Sequence, residues 1–218
     1  MGDGASRKAS MSDVSLATYA LGIDLGGSSA KSVAVTPQGE VLSRKQADFD
    51  PAVPMQWAET IRELVRFYER EQGSPAASIG VAAPGLTSKD ERAIAYMPGR
   101  LQGLEGLDWT RWLARTDAVP VLNDAHAALL GEVWVGAAKG CENVILLTLG
   151  TGVGGAAMVD GNLLRGEIGR AGHLGHTSLN PSGPPDICGA PGSLEDWIGN
   201  CTLKARCGGL YQTTHDLV

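Results

Sequence analysis

The sequence has little cysteine, few aromatic residues and no long apolar run. Four cysteines in 218 residues are too few and too scattered for a disulfide scaffold. No apolar run approaches the roughly 18 residues of a membrane span. Residues 1–17 are polar and lack the apolar stretch of a signal peptide, so we expect a disordered N-terminal tail there and a cytoplasmic protein.

Positive charge is also in the minority. Eighteen Lys and Arg face 24 Asp and Glu, which leaves a net charge of −6. Such a balance provides no basic face for a nucleic-acid backbone, so we expect neither nucleic acid nor membrane as a partner. Hydrophobic residues make up 43% of the chain, enough for a real core, and 30 glycines predict a backbone that turns and approaches ligands closely.

Apolar patterning alternates between strands and helices, which predicts the α/β class. Strand patterns occupy residues 18–24, 31–36, 78–83, 119–123 and 143–149, the last of them expected to be buried. Residues 55–72 carry apolar side chains at helical spacing and precede Gly73, which predicts an amphipathic helix. A second helix is predicted from Asp124, as its cap, to about residue 138, and a final one from near Ser193.

A glycine turn ends the first predicted strand, in the segment Asp24–Lys31 (DLGGSSAK). Gly26 and Gly27 would let backbone N–H groups face a phosphate, and the hydroxyl of Ser28 and the ammonium of Lys31 would complete the cradle. Asp24 could hold Mg²⁺ or its waters. The alternative is a tight hairpin whose polar side chains bind nothing.

A second glycine run, residues 149–155 (LGTGVGG), contains the spelling GxGxxG of dinucleotide-binding folds. That motif must open a helix, whereas the residues that follow here, 156–159, favour a strand and a turn. The pattern therefore favours a second phosphate clamp between two strands.

Two polar clusters are candidates for chemistry. Asp124, after a buried strand, is either a general base toward a substrate hydroxyl or an ordinary helix cap. His173 and His176, with Asp186 and Cys188 beyond them, are either metal ligands or histidines hydrogen-bonded within a loop. A single cysteine is thin evidence for zinc, which favours several thiolates.

Taken in order, four motifs resemble those of the ROK family (repressors, open reading frames and sugar kinases), which has the actin-like ATPase fold. They are GIDLGGSSAK, GVAAPG, NDAHAALLGE and LTLGTGVGGAAMVDGNLLRG, and the resemblance spans roughly residues 19–200. It implies a two-lobed α/β fold of the ribonuclease H-like type, with an N-terminal lobe over 18–122 and a partial C-terminal lobe over 123–218.

The resemblance also implies ATP-dependent phosphorylation of a sugar hydroxyl, on glucose or a related or N-acetylated hexose. Asp124 is similar to the family's general base, and Asp24 would lie beside Mg²⁺. The implied sugar contacts are Gly85, Asn123, His173, His176 and Glu195. The implied phosphate contacts are Gly26, Gly27, Ser28, Lys31, Gly150, Thr151 and Gly152. The partners would be the sugar, ATP and a second copy of the chain in a homodimer.

The chain departs from the family in its sugar and zinc motifs. His173 stands where the family's Glu-x-Gly-His motif has glutamate, which should change the preference for sugar hydroxyls. The zinc segment Cys-x-Cys-Gly-x-x-Gly-Cys-x-Glu aligns without a gap to residues 186–195, where Asp186 and Ser193 replace two of three cysteines. We therefore expect structural zinc to be absent or weak, a His176–Asp186 pair to stand in for it, and Cys188 to be the remaining thiol.

The chain is also shorter than the family's kinases. The resemblance implies that the last strands of the second lobe and an adenosine-contacting glycine motif are missing, which would expose apolar surface. Activity of these 218 residues alone is therefore in doubt. The alternatives to a kinase are a non-catalytic sugar sensor or regulator of the same family and an inactive truncated paralogue.

Overall fold

The structure is a computed structural model that describes residues 18–211. Its first half contains strands β1 (Ala20–Leu25), β2 (Ser29–Val35), β3 (Val41–Asp48), β4 (Ser78–Ala83), β5 (Leu86–Thr87), β6 (Ile94–Tyr96) and β7 (Val121–Asn123), with helices α1 (Gln56–Gln72) and α2 (Trp109–Trp112). Its second half contains α3 (Asp124–Val135), β8 (Val144–Leu149), β9 (Val153–Val159), β10 (Asn162–Leu163), a 3-10 turn (Leu174–His176), α4 (Leu194–Ile198) and α5 (Asn200–Arg206).

A five-stranded sheet in the order β3-β2-β1-β4-β7 organises the first half. The first three strands form an antiparallel meander, and β4 and β7 join it in parallel. Helix α1 packs on this sheet because its apolar side chains recur every three or four residues, and Trp57, Ile61, Leu64 and Tyr68 are buried. The helix ends as predicted, at Gly73 with φ 70°.

Tryptophans anchor the irregular segment between β4 and β7. Trp109 is fully buried, with its ring 5.8 Å from that of Trp57 in an edge-to-face arrangement. The indole Nε1 of Trp112 donates to the carbonyl of Ala58 at 3.1 Å. These contacts fix the loop that leads to β7 and hence to the start of α3.

A smaller sheet in the order β10-β9-β8 packs against α3. Its core consists of Ala125, Leu129, Ala156 and Met158, separate from the larger core formed by residues 19–121. The division into an N-terminal lobe over 18–122 and a partial C-terminal lobe over 123–218 stays a prediction.

Strand β8 corrects one expectation. It was predicted to be buried, but its alternate residues Ile145, Leu147 and Leu149 are 71%, 44% and 67% exposed. The reason is that β8 pairs only with β9 within residues 18–211, and one of its faces meets no other element there. Apolar surface is therefore exposed on the second sheet, as the sequence predicts.

Loops and short helices complete the described chain. Helix α4 begins after Ser193, as predicted, and the hydroxyl of Ser193 accepts from the backbone N–H of Asp196 at 3.3 Å. The second helix stops at Val135, three residues before its predicted end. No helix between residues 18 and 211 has the length and apolar character needed to cross a membrane. The predicted tail, residues 1–17, lies outside the described residues.

Candidate active site

Two clefts meet at Asp124, where the five-stranded sheet ends and α3 begins. One, of about 550 Å³, contains every residue predicted to contact the sugar, together with the second glycine loop. The other, of about 1130 Å³, contains Asp24 and the first glycine loop. Asp124 lines both clefts, so the structure brings together two motifs that are 100 residues apart.

Asn123 determines how Asp124 is presented. Its Oδ1 accepts from the backbone N–H of Ala125 at 3.0 Å, and its Nδ2 donates to the carbonyl of Gly85 at 3.1 Å. The predicted cap at Asp124 is therefore wrong, because Asn123 is the residue that caps α3. With the cap supplied by its neighbour, the Asp124 carboxylate stays exposed in the first turn of the helix.

Only glycine fits at position 85, because of its backbone conformation and its close neighbours. Its φ of 108° lies in the left-handed region, and a β-carbon there would come within 2.7 Å of the Tyr96 carbonyl and 2.8 Å of Ile94. The loop therefore passes close to β6, and its carbonyl faces the amide of Asn123. Local folding thus positions one wall of the smaller cleft.

The first glycine loop forms the hairpin between β1 and β2, in which Gly26 donates to the carbonyl of Ser29 at 2.9 Å. Gly26, Gly27 and Lys31 line the larger cleft with Asp24. Ser28, predicted to bind phosphate, lies in the same turn but lines neither cleft.

Asp24 and Asp124 influence each other across the larger cleft. Burial raises the pKa of Asp24, the Lys31 ammonium lowers it, and the negative charge of Asp124 raises it again. Two carboxylates and an ammonium at the mouth of a glycine hairpin are chemically suited to a hard divalent cation and a polyphosphate.

The second glycine loop, residues 150–152, connects β8 to β9 and opens no helix, so the dinucleotide reading is excluded. The start of α5 holds the backbone of this loop. The carbonyl of Gly150 accepts from the backbone N–H of Asn200 at 3.0 Å, and the carbonyl of Thr151 accepts from that of Cys201 at 2.7 Å. The next residue, Val153, donates its N–H to Oε2 of Glu195 at 2.9 Å. Glu195 thus connects α4 to the end of the second glycine loop.

His173 lies half-buried in the smaller cleft, 6.3 Å from the ring of the buried His126. Its Nε2 is buried and has no hydrogen-bond partner among residues 18–211. Burial lowers the pKa of His173, and the neighbouring His126 and His176 lower it further, so the ring is neutral at pH 7. A neutral imidazole can donate as well as accept, unlike a carboxylate.

His176 forms the pair with Asp186 that the sequence predicts. Its Nδ1 lies 2.8 Å from Oδ2 of Asp186, and its Nε2 lies 3.4 Å from Sγ of Cys188. Burial alone would raise the pKa of Asp186, but hydrogen bonds from His176, Ala190, Ser193 and Cys188 lower it to about 2. His176 lines the cleft, whereas Asp186 and Cys188 lie behind it.

Sequence reasoning missed three residues of the site. Thr148 lines both clefts, Arg100 lines the larger one, and His126 lies behind His173. Thr148 carried a usable signal, a hydroxyl just before a glycine run. Arg100 and His126 carried none, since their proximity to the site arises only from folding.

The fold and the site together define the class of protein. An antiparallel meander that continues into parallel strands, a second sheet, and two glycine hairpins that converge on a carboxylate are the features of the actin-like ATPase fold. Comparison with known proteins gives the family. The ROK family profile matches residues 20–216, and the chain belongs to this family.

Individual relatives are sugar kinases by name. Glucokinase of Thermotoga maritima is 33% identical over 80% of this chain, and N-acetylmannosamine kinase of Escherichia fergusonii is 30% identical over 80%. A ROK family glucokinase from Streptomyces griseus, solved in complex with glucose and AMPPNP, superposes with a TM-score of 0.71 over 88% of this chain at 27% identity. The chain spans 55%, 59% and 62% of the lengths of these three proteins.

Proposed function

We propose that the protein is an ATP-dependent sugar kinase, in which Asp124 takes the proton of the sugar hydroxyl that attacks the γ-phosphate. The observation that carries this proposal is the position of Asp124, exposed where the cleft with the histidines and Glu195 meets the cleft with the first glycine loop. A base at this junction reaches both an acceptor on one side and a phosphoryl donor on the other.

The chemistry needs little more than positioning and charge neutralisation. Asp124 accepts one backbone N–H, from Ala125 to Oδ1 at 2.8 Å, and Oδ2 makes no hydrogen bond within residues 18–211. That oxygen is therefore available to a substrate hydroxyl.

Asp24 would hold Mg²⁺ with the ATP phosphates, and Asp124 stays free for the sugar hydroxyl. The fit rests on the position of the Asp24 carboxylate, near the end of β1 and in the cleft lined by the first glycine loop, and on the preference of Mg²⁺ for carboxylate oxygens. When bound, Mg²⁺ neutralises phosphate charge and orients the γ-phosphate. The glycine hairpin at 26–27, the ammonium of Lys31 and the loop at 150–152 would hold the phosphates through N–H groups and charge.

The proposed acceptor is a hexose or its N-acetylated form, which agrees with the relatives being a glucokinase and an N-acetylmannosamine kinase. Asn123, His173, His176, Glu195 and the Gly85 loop surround a space of about 550 Å³, within the usual range for a small-molecule site. Because His173 is neutral, it offers the sugar one donor and one acceptor, where a carboxylate would offer acceptors only.

The test is an ADP-release assay with Mg²⁺ and a panel of hexoses, amino sugars and N-acetylated sugars. It compares this chain with the chain extended to the stop codon of its reading frame, if one lies downstream. ADP release that depends on one class of sugar supports the proposal. Sugar binding without ADP release, in folded protein of both lengths, overturns it in favour of a sensor.

A further inference from the structure

A hydrogen-bonded cluster lies directly behind the sugar cleft, at the place that the family's motif gives to zinc. His176, Asp186, Cys188 and Ser193 occupy the four positions of that motif. The Asp186 side chain is fully buried, as is Ser193. A buried carboxylate beside the cleft therefore points to a role in the site.

Both carboxylate oxygens of Asp186 have hydrogen-bond partners. Its Oδ1 accepts the backbone N–H of Cys188 at 2.8 Å and that of Ala190 at 2.9 Å, and its Oδ2 faces Nδ1 of His176 at 2.8 Å. The hydroxyl of Ser193 also lowers the pKa of this carboxylate. The carboxylate thus closes the turn at 186–190 and joins it to the histidine on the cleft wall.

The four residues do not fit zinc. Structural zinc takes four ligands, predominantly thiolates and imidazoles, and only one thiol is present. Nδ1 of His176 is already paired with Asp186 at 2.8 Å, so Nε2, which makes a weak contact with Sγ of Cys188 at 3.4 Å, is the ring nitrogen left for a ligand. Within residues 18–211, no group of three or more His, Cys, Asp or Glu side chains is arranged so that it could hold a metal ion.

We propose that Asp186 is a positioning residue that replaces the metal, so that the sugar side of the site is held together without zinc. The inference rests on the proposed function, because it takes His176 and Glu195 as sugar contacts. Asp186 orients His176 directly. It reaches Glu195 through Ser193, whose hydroxyl also caps the helix that carries Glu195.

The same connection continues to the phosphate side. Leu194 donates to the carbonyl of Thr177 at 2.9 Å, which ties the start of α4 to the turn that contains His176. Glu195 then accepts from Val153 at the end of the second glycine loop. Loss of the Asp186 cluster should therefore affect sugar affinity first and the arrangement of the loop at 150–152 second.

The first arm of the test replaces Asp186→Asn, which keeps the shape but puts an amide N–H₂ or a weaker neutral acceptor opposite His176. Asp117→Asn, at an exposed residue, is the matched control. We expect the sugar Kd, measured by calorimetry, to rise about tenfold or more in Asp186→Asn and to stay unchanged in the control. An unchanged Kd in Asp186→Asn refutes the positioning role.

The second arm measures metal. Protein purified from zinc-supplemented medium should contain less than about 0.1 zinc per chain, and 1,10-phenanthroline should leave its melting temperature unchanged. The variant Asp186→Cys with Ser193→Cys restores three thiols beside His176, and we expect it to gain about one zinc and a phenanthroline-sensitive melt. One zinc per wild-type chain, lost with a drop in melting temperature, overturns the inference.

The two arms separate this inference from the proposed function. If wild-type protein binds no sugar, the proposed function fails, while metal content and melting behaviour still decide whether Asp186 takes the place of zinc. If sugar binds and zinc is present, the function stands and the inference falls.

Discussion

The cap of α3 offers the sharpest test of how the site is built. In Asn123→Ala, the N–H groups of Ala125 and His126 lose the Asn123 Oδ1 acceptor at 3.0 and 3.4 Å, although the N–H of Ala125 keeps its bond to Asp124. The carbonyl of Gly85 loses its donor at 3.1 Å. Asn123 is 7% exposed, so water replaces these bonds poorly.

The magnitude follows from the two losses. Replacing an asparagine cap by alanine costs about 1 kcal/mol. Losing a largely buried side-chain hydrogen bond costs about 1 kcal/mol more. A total of about 2 kcal/mol lowers the melting temperature of a domain of this size by roughly 4–8 °C.

Calorimetric melts of three variants check this reasoning. Asn123→Asp keeps an acceptor for the helix but cannot donate to Gly85, so we expect about half the loss. Asn162→Ala, at an exposed side chain bonded to the carbonyl of Asp160, is the control and should shift the melt by less than about 2 °C. The reasoning is refuted if the melting temperature of Asn123→Ala falls no further than that of Asn162→Ala.

Three further predictions concern charge, packing and exposure. Asp24→Asn should raise the melting temperature at pH 7, because the folded-state pKa of Asp24 lies above its ordinary 3.8 and its ionised form costs stability. That cost is absent well below pH 3.8, grows as pH rises from 3.8 towards the folded pKa and levels off above it, so the gain seen at pH 7 should vanish in a melt at pH 3. Gly175→Ala should destabilise by about 1–3 kcal/mol in urea unfolding, because a β-carbon there would overlap the carbonyl oxygen of Val153. Ile145→Lys should reduce self-association in light scattering and change stability by less than about 0.5 kcal/mol, since Ile145 is 71% exposed.

Each of these predictions has a result that contradicts it. A lower melting temperature in Asp24→Asn at pH 7 would mean that the carboxylate stabilises the fold. Wild-type stability in Gly175→Ala would mean that the turn at 174–176 moves freely away from β9. Unfolding of Ile145→Lys would mean that the face is covered in solution.

The large sheet and α1 could be predicted because their signals are local. Periods of two and of three to four residues, with glycine at the ends, specify elements without reference to distant contacts. The His176–Asp186 pair was predictable for another reason: Asp186 stands at a position where the family has a zinc thiolate, and a carboxylate there needs a donor.

The features that could not be predicted depend on contacts between residues far apart in the sequence. The pattern of β8 does not say that only one strand pairs with it in the described chain, so its exposure was missed. Asn and Asp cap helices equally well, so the sequence pair Asn123–Asp124 did not reveal which one caps. Arg100 lines the larger cleft only because the loop after β6 folds back over the first glycine hairpin.

The most direct test of the central claim is sugar-dependent ADP release by Asp124→Asn beside the wild-type protein. The account predicts that turnover falls by about 10²–10⁴-fold, the usual contribution of a general base. It predicts that the sugar Kd stays within about threefold, because the base acts in the transition state and not in ground-state binding. Undiminished turnover in Asp124→Asn would contradict the account, because another group would then have to accept the proton.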